Sequence, residues 1–297
     1  MKLFDLALAV CVTAIWGANF SVVKLGLSTL DPHLMAAIRF ALCAFPAVFF
    51  VRRPDVGWRY LVAYGLLFGV GLWGAVYAGI SFGLSAGLAS LVLQSAVFMS
   101  MAVGVVVFKE RLHPSLLLGT VVAACGIVVV FVYADGRASW LGLTLVLFAA
   151  MAWAGANAIV KLSKTTQMFS FMVWSSLAAP LPLLALSYTF TGAHEMGQML
   201  AQVDAKAMLS IAFQVYPTTL FGYAVWNILL KKYSVSSVAP LSLLVPVFGM
   251  LCSVWLLDEA LPPYKVVAMT LILSGLLINS GGANMWRKLS LRLRPTC

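Results

Sequence analysis

The chain carries ten apolar stretches, each close to the roughly 20 residues that a helix needs to cross about 30 Å of hydrocarbon. They run from Leu3 to Leu25, Pro32 to Val51, Tyr60 to Phe82, Ser85 to Phe108, Pro114 to Tyr133, Leu141 to Lys161, Phe169 to Tyr188, Met208 to Leu230, Val235 to Leu257 and Pro263 to Ser280. Inside lipid every backbone N–H and C=O must be paired within the chain, so stretches of this length predict an all-α, polytopic membrane protein. Composition agrees: 63% of the 297 residues are hydrophobic and 9% are charged, with a mean hydropathy of +1.01. Short connections carry helix breakers, such as Asp31-Pro32, Arg53-Pro54-Asp55, His113-Pro114 and Pro262-Pro263. The long polar connection from Thr189 to about Lys206 is expected to hold a short surface helix. The first stretch imitates a secretion signal, but Asp5 interrupts it, and Trp16 and Asn19 stand where a small-residue cleavage site would be, so it is read as a span.

Residues 71–100 align with 221–250 without a gap, closing on GLASLVLQSAVF in the first copy and SVAPLSLLVPVF in the second. Dropping one residue extends the match: Glu110 and Leu112 fall on Glu259 and Leu261, and Gly126 falls on Gly275. Five stretches therefore pair with five. An odd number of spans per copy turns the second copy upside down, so the expected architecture is ten transmembrane helices in two inverted five-helix repeats. The first repeat is expected over 1–135, the second over 136–282, and a basic tail over 283–297. Aligning Trp16 with Trp153 also pairs Lys24 with Lys161, whereas aligning the two GAN triplets shifts that register by one.

The basic residues give the orientation. Lys2, Arg52, Arg53, Arg59, Lys109, Arg111, Lys161, Lys164, Lys231, Lys232, Arg287, Lys288, Arg292 and Arg294 lie on the side of the N-terminus, against Lys24, Arg137, Lys206 and Lys265 on the other. Cations accumulate in cytoplasmic loops, so both termini are expected in the cytoplasm. The tail cations would then meet anionic inner-leaflet lipid. Scattered between apolar runs, these residues form no basic face for nucleic acid.

Polar residues inside the spans are costly and mark candidate function. Arg39 is the clear mid-span charge: it either lines an aqueous cavity, where its planar fork suits a carboxylate, or snorkels toward the interface or bonds to neighbouring backbone carbonyls. Asn19 is expected near its depth, with Asn157 as repeat counterpart; interhelical bonding and cavity lining both suit these amides. Gly17 and Gly155, preceding them in GAN, read as close-packing positions. Gln94 stands near the middle of its span where the second copy has Leu244, the asymmetry of a solute site or of one interhelical hydrogen bond. Pro240 and Pro246 are expected to kink the ninth span. Trp16, Trp73, Tyr77, Trp153, Tyr223 and Trp226 lie away from the terminal belts, to pack over an apolar substrate or close a gate, or else to face lipid or pack in the core.

Other chemistries lack their residues. Every Asp and Glu lies at a span end or in a loop, as do His33, His113 and His194, so a buried carboxylate relay is not visible. Cys11, Cys43, Cys125, Cys252 and Cys297 lack metal spacing. Neither a phosphate-binding loop nor a nucleophile motif occurs, and no catalytic residue, metal or cofactor is assigned.

WGANF at 16–20, Arg39-Phe40, GLASLVLQSAVF at 87–98, ERL with Gly119 and Gly126, and APLSLLVPVFGM followed by Asp258-Glu259 together resemble the EamA family of the drug/metabolite transporter superfamily, over about residues 4–280. The chain looks most like that family's bacterial exporters of O-acetylserine and cysteine. The resemblance implies two inverted five-helix repeats in the bacterial inner membrane, with efflux of amino acids or their metabolites through a cavity between the repeats. Trp16, Asn19, Arg39, Tyr77, Gln94, Asn157 and Tyr223 are its implied substrate-binding residues. Gly119 becomes Ala268 and ERL becomes EAL in the second copy, a departure from the signature. Drugs, nucleotide-related solutes and lipid headgroups remain open as cargo, as does a non-transporting membrane assembly role.

Overall fold

The structure is a computed structural model that describes residues 1–109, 114–133, 139–233 and 238–278. Glu110, Arg111, Leu112, His113, Arg137 and the basic tail lie outside the described residues. Among the described residues the secondary structure is helical throughout. Helix α1 is Leu3–Gly26, α2 is Pro32–Phe50, α3 is Trp58–Ser81, α4 is Ala86–Phe108 and α5 is Pro114–Tyr133. Then follow α6 (Trp140–Ser163), α7 (Met168–Thr191), the short α8 (Ala193–Ala201), α9 (205–232), α10 (239–257) and α11 (Pro263–Leu277). Six of these, α1 to α4, α6 and α7, are long and apolar enough to cross a membrane, and α5, α10 and α11 are apolar over shorter lengths. Helix α9 is long but broken in composition by Gln214, Pro217, Thr218 and Thr219.

Local chemistry sets the helix ends. The Asp31 carboxylate accepts the His33 and Leu34 N–H groups at 2.9 and 3.1 Å, ahead of Pro32, whose missing donor costs nothing at a first helical position. Ser85, Ser139 and Asp204 cap α4, α6 and α9 in the same way. Phe45 precedes Pro46, is extended as that neighbour requires, and interrupts α2. Gly192, at φ 87°, turns the chain from α7 into α8, the surface helix expected in the long connection.

The packing carries the repeat into three dimensions. Helix α1 packs on α10 as α6 packs on α4; α1 meets α9 as α6 meets α3; α2 packs on α7, and α5 on α11. Exchanging α1 with α6, α2 with α7, α3 with α9, α4 with α10 and α5 with α11 maps this pattern onto itself. The glycines obey the same exchange: Gly126 abuts Ala268 and Ile272, while Gly275 abuts Gly119 and Ala123. Even the caps agree, since Lys109 and Asp258 end α4 and α10 in the left-handed conformation at φ 56° and 50°.

The core joins both halves, with Phe40, Tyr77, Leu88, Leu143 and Phe171 fully buried. The outside is the reverse of a water-soluble surface: Phe50 and Trp255 are each 85% exposed, among many bare apolar side chains suited to lipid.

Candidate functional site

A cavity of about 400 Å³ lies between the two halves. Its wall is largely aromatic, with Trp16, Phe20, Tyr64, Phe68, Trp73, Trp153, Tyr223 and Trp226 facing it. The polar lining is neutral: Gln94, Asn157, Thr218, Asn227 and Ser242. These positions stand in the middle of their helices and in the halves that lead to Ser163, Met168, Lys232 and Ala239, so the cavity belongs to one end of the bundle. Asn157 is exposed at its rim and donates to Ser100 Oγ at 3.1 Å.

Two widened helical segments shape the wall, Leu66–Gly74 in α3 and Gln214–Phe221 in α9. In α9 the cause is Pro217, which has no N–H to give to the preceding turn. The Gly222 N–H reaches back to the Pro217 carbonyl, while the Thr218 carbonyl accepts from Trp16 Nε1 at 3.0 Å. Trp16 is thereby fixed with its ring 5.2 Å from Tyr223 and 5.1 Å from Trp226, and Tyr223 meets Phe68 at 6.0 Å. Sequence reading expected kinks at Pro240 and Pro246. Residues 239–243 do form a tight 3-10 turn, but the widened turn that shapes the wall sits at Pro217.

Arg39 lies behind the cavity floor. It is fully buried, with Nη1 donating to Tyr77 OH at 2.7 Å and Nη2 to Thr219 Oγ1 at 3.0 Å. Its guanidinium carbon sits 4.2 Å from the centroid of Trp73, one of the floor rings. From Tyr77 the donors run on: Tyr77 OH to Gln214 Oε1, Gln214 Nε2 to Ser210 Oγ at 2.9 Å, and Ser210 Oγ to the Val22 carbonyl at 2.6 Å. Among the described residues no carboxylate forms an ion pair with Arg39. Its charge is carried by neutral acceptors and by the Trp73 face, a cation–π arrangement strengthened by burial.

Of the residues expected to form the site, Trp16, Gln94, Asn157 and Tyr223 line the cavity. Arg39 and Tyr77 lie beneath it, joined to each other. Arg39 reaches neither the surface nor the cavity itself: it is fully buried, with the hydroxyls of Tyr77 and Thr219 as its acceptors in place of backbone carbonyls. Asn19 is fully buried with no hydrogen-bond partner for its amide, and it makes no bond to Arg39. Thr218 and Asn227 went unread in the sequence; the polar run Gln214 to Thr219 within an otherwise apolar span was the signal that could have found the first of them.

The opposite end of the bundle is tied shut. Glu259 Oε1 accepts from Lys24 Nζ at 2.7 Å and from the Ala86 N–H at 3.0 Å, while Lys265 Nζ donates to Ser85 Oγ at 3.3 Å. Ser187 Oγ donates to Asp31 Oδ2 at 2.6 Å, and Gly79 and Gly142 bring α3 and α6 together. Burial by itself would raise the Glu259 carboxyl, but the hydrogen bond and charge of Lys24, the Ala86 N–H and the Lys265 charge hold it below its ordinary range. At the cavity end, Asp5 Oδ2 accepts from Lys232 Nζ at 2.8 Å and from Tyr233 OH at 2.6 Å, which holds α1 to α9.

Such an arrangement can admit a small solute with apolar surface and exchange hydrogen bonds with it through amides and hydroxyls. Among the described residues no group of His, Cys, Asp and Glu could hold a metal ion.

Residues 3–132 and 140–281 each match the model of the EamA-like transporter family. The chain is 40% identical over 286 residues to a Salmonella typhimurium protein named "Probable amino-acid metabolite efflux pump", covering 94% of this chain and 96% of that protein. An Escherichia coli protein of the same name is 39% identical over 290 residues, with 96% and 97% covered. A solved crystal structure superposes with a TM-score of 0.62 over 96% of this chain and 99% of that one, at 15% identity, a likeness of fold.

Proposed function

The chain belongs to the EamA-like transporter family, and from that premise we propose that it exports amino acids or amino-acid metabolites, of the cysteine and O-acetylserine kind, by alternating access between two inverted repeats. It is a transporter rather than an enzyme. One observation carries the reading: an uncharged, aromatic cavity is shared by both halves and lies toward the end where Asp5 pairs with Lys232, while Lys24, Glu259 and the Ala86 N–H join the halves at the other end, beyond its floor. The bias of Lys and Arg toward the cavity end supports a cytoplasmic mouth, ten crossings and both termini in the cytoplasm of a bacterium's inner membrane. In this state the protein loads solute from inside the cell.

A zwitterion fits the lining. Its carboxylate is drawn to the floor, where the Arg39 cation stands behind Trp73. Its ammonium meets the ring faces of Trp16, Tyr223 and Trp226 and the oxygens of Gln94, Asn157 and Asn227.

Uptake of labelled cysteine, O-acetylserine, threonine and phenylalanine into proteoliposomes, with and without a pH gradient, tests the proposal. Saturable uptake of one of these solutes is expected, and its dependence on the gradient identifies the driving force. A folded protein that moves none of them defeats it and favours the second reading, export of apolar drugs, which the aromatic wall also suits.

A further inference from the structure

We propose that Lys24 and Glu259 form the outer gate of the solute route, and that release of Glu259 is the step that opens it. The inference rests on the exporter reading and adds the residues that must part. Asp258, in the left-handed conformation, turns the chain off α10 so that Glu259 points back at the first half of the molecule. One carboxylate oxygen then holds two helices of that half, α1 through Lys24 at 2.7 Å and α4 through the Ala86 N–H at 3.0 Å. Lys265 reinforces the joint by bonding Ser85, the residue before Ala86, and the Ala260 carbonyl. Neither repeat can move away from the other at this end while these bonds stand.

The region just inside the gate is polar and unsatisfied. Ser21 lies one turn before Lys24 on the same face of α1, and its hydroxyl is buried without a partner. Glu259 Oε2, the second oxygen of the gate carboxylate, is buried and unpartnered as well. Buried polar atoms are nearly always paired, and the two orphans beside this joint are groups that water would satisfy once it parts. When Glu259 lets go, these groups become wetted and the charged pair regains its hydration, which offsets the loss of the bonds.

The test uses Ser21→Cys as reporter, in a background whose own Cys11, Cys43, Cys125, Cys252 and Cys297 are replaced by alanine. A membrane-impermeant maleimide is applied from the outside, with Glu259→Gln or Lys24→Gln added. Labelling is expected to rise about tenfold or more in either gate variant. Equal labelling with and without the gate substitutions overturns the proposal. A second arm joins Lys24→Cys to Glu259→Cys with a reducible bifunctional thiol reagent whose span replaces the two long side chains. Uptake should then fall about tenfold and return on reduction; undiminished uptake by the cross-linked protein also overturns the gate. If the unmodified protein transports nothing, the exporter reading fails instead, and the labelling comparison still decides the gate.

Discussion

Arg39 concentrates the electrostatics of this protein in one side chain. A cation in a membrane interior costs several kcal/mol unless it is solvated by the protein, and here two hydroxyls and an indole face supply that solvation. Lysine keeps the charge but not the fork: it cannot bond Tyr77 and Thr219 together while lying flat on Trp73. Arg39→Lys should therefore leave the protein folded and reduce uptake of carboxylated solutes about tenfold, the worth of roughly one charge-assisted hydrogen bond. Equal uptake by both proteins would remove Arg39 from substrate handling. Arg39 could be read from sequence because a lone charge in an apolar run has no camouflage. Asn227 could not, because an amide a few residues from Lys231 and Lys232 looks like an ordinary helix end.

Among the helices, the crossing of α5 on α11 shows how glycine sets a distance. A Cβ on Gly275 would meet the Gly119 carbonyl and lie 2.8 Å from the Ala123 nitrogen, and backbone cannot swing aside as a side chain can. Gly275→Ala should lower stability by about 1–3 kcal/mol. Gly197, in the surface helix α8, has nothing within 4 Å, so Gly197→Ala should instead stabilise by about 0.5–1 kcal/mol. Thermal melting of the two variants in detergent separates these cases by sign. The pairing of Gly126 with Gly275 was visible in the repeat, but the sequence could not say that each packs against the other helix. At α9, Pro217 went unread while kinks were expected at Pro240 and Pro246, and its outcome, a widened turn whose Thr218 carbonyl accepts from Trp16, joins residues 202 positions apart.

For the whole molecule, the consequence of the closed end is a pH dependence. Glu259 is faced by the Lys24 and Lys265 charges and by the Ala86 N–H, which together favour its ionised form and set the sign. Its folded value lies below the ordinary 4.5, so its contribution to stability is complete above that value and is lost as pH falls through the lower, folded one. The melting temperature of the parent should exceed that of Glu259→Gln at neutral pH, and the gap should close on acidification through that window. A gap that stays constant through the acid range would mean that the carboxylate charge does not hold this end together.

The sequence by itself determined the apolar helices, their breaks and the internal repeat, because hydrocarbon length, proline, glycine and periodicity act locally and leave their mark in order along the chain. It also marked the residue types that lipid penalises, Arg39, Asn19, Gln94 and Asn157. Only the tertiary structure decided which of these face the cavity and which lie behind it. It set Trp73 between Arg39 and the cavity, left Asn19 without a partner, and joined Glu259 to Lys24 across 235 residues. Those outcomes depend on the rotation of each helix about its axis and on its neighbours, which are fixed by packing between distant segments and have no local trace in the sequence.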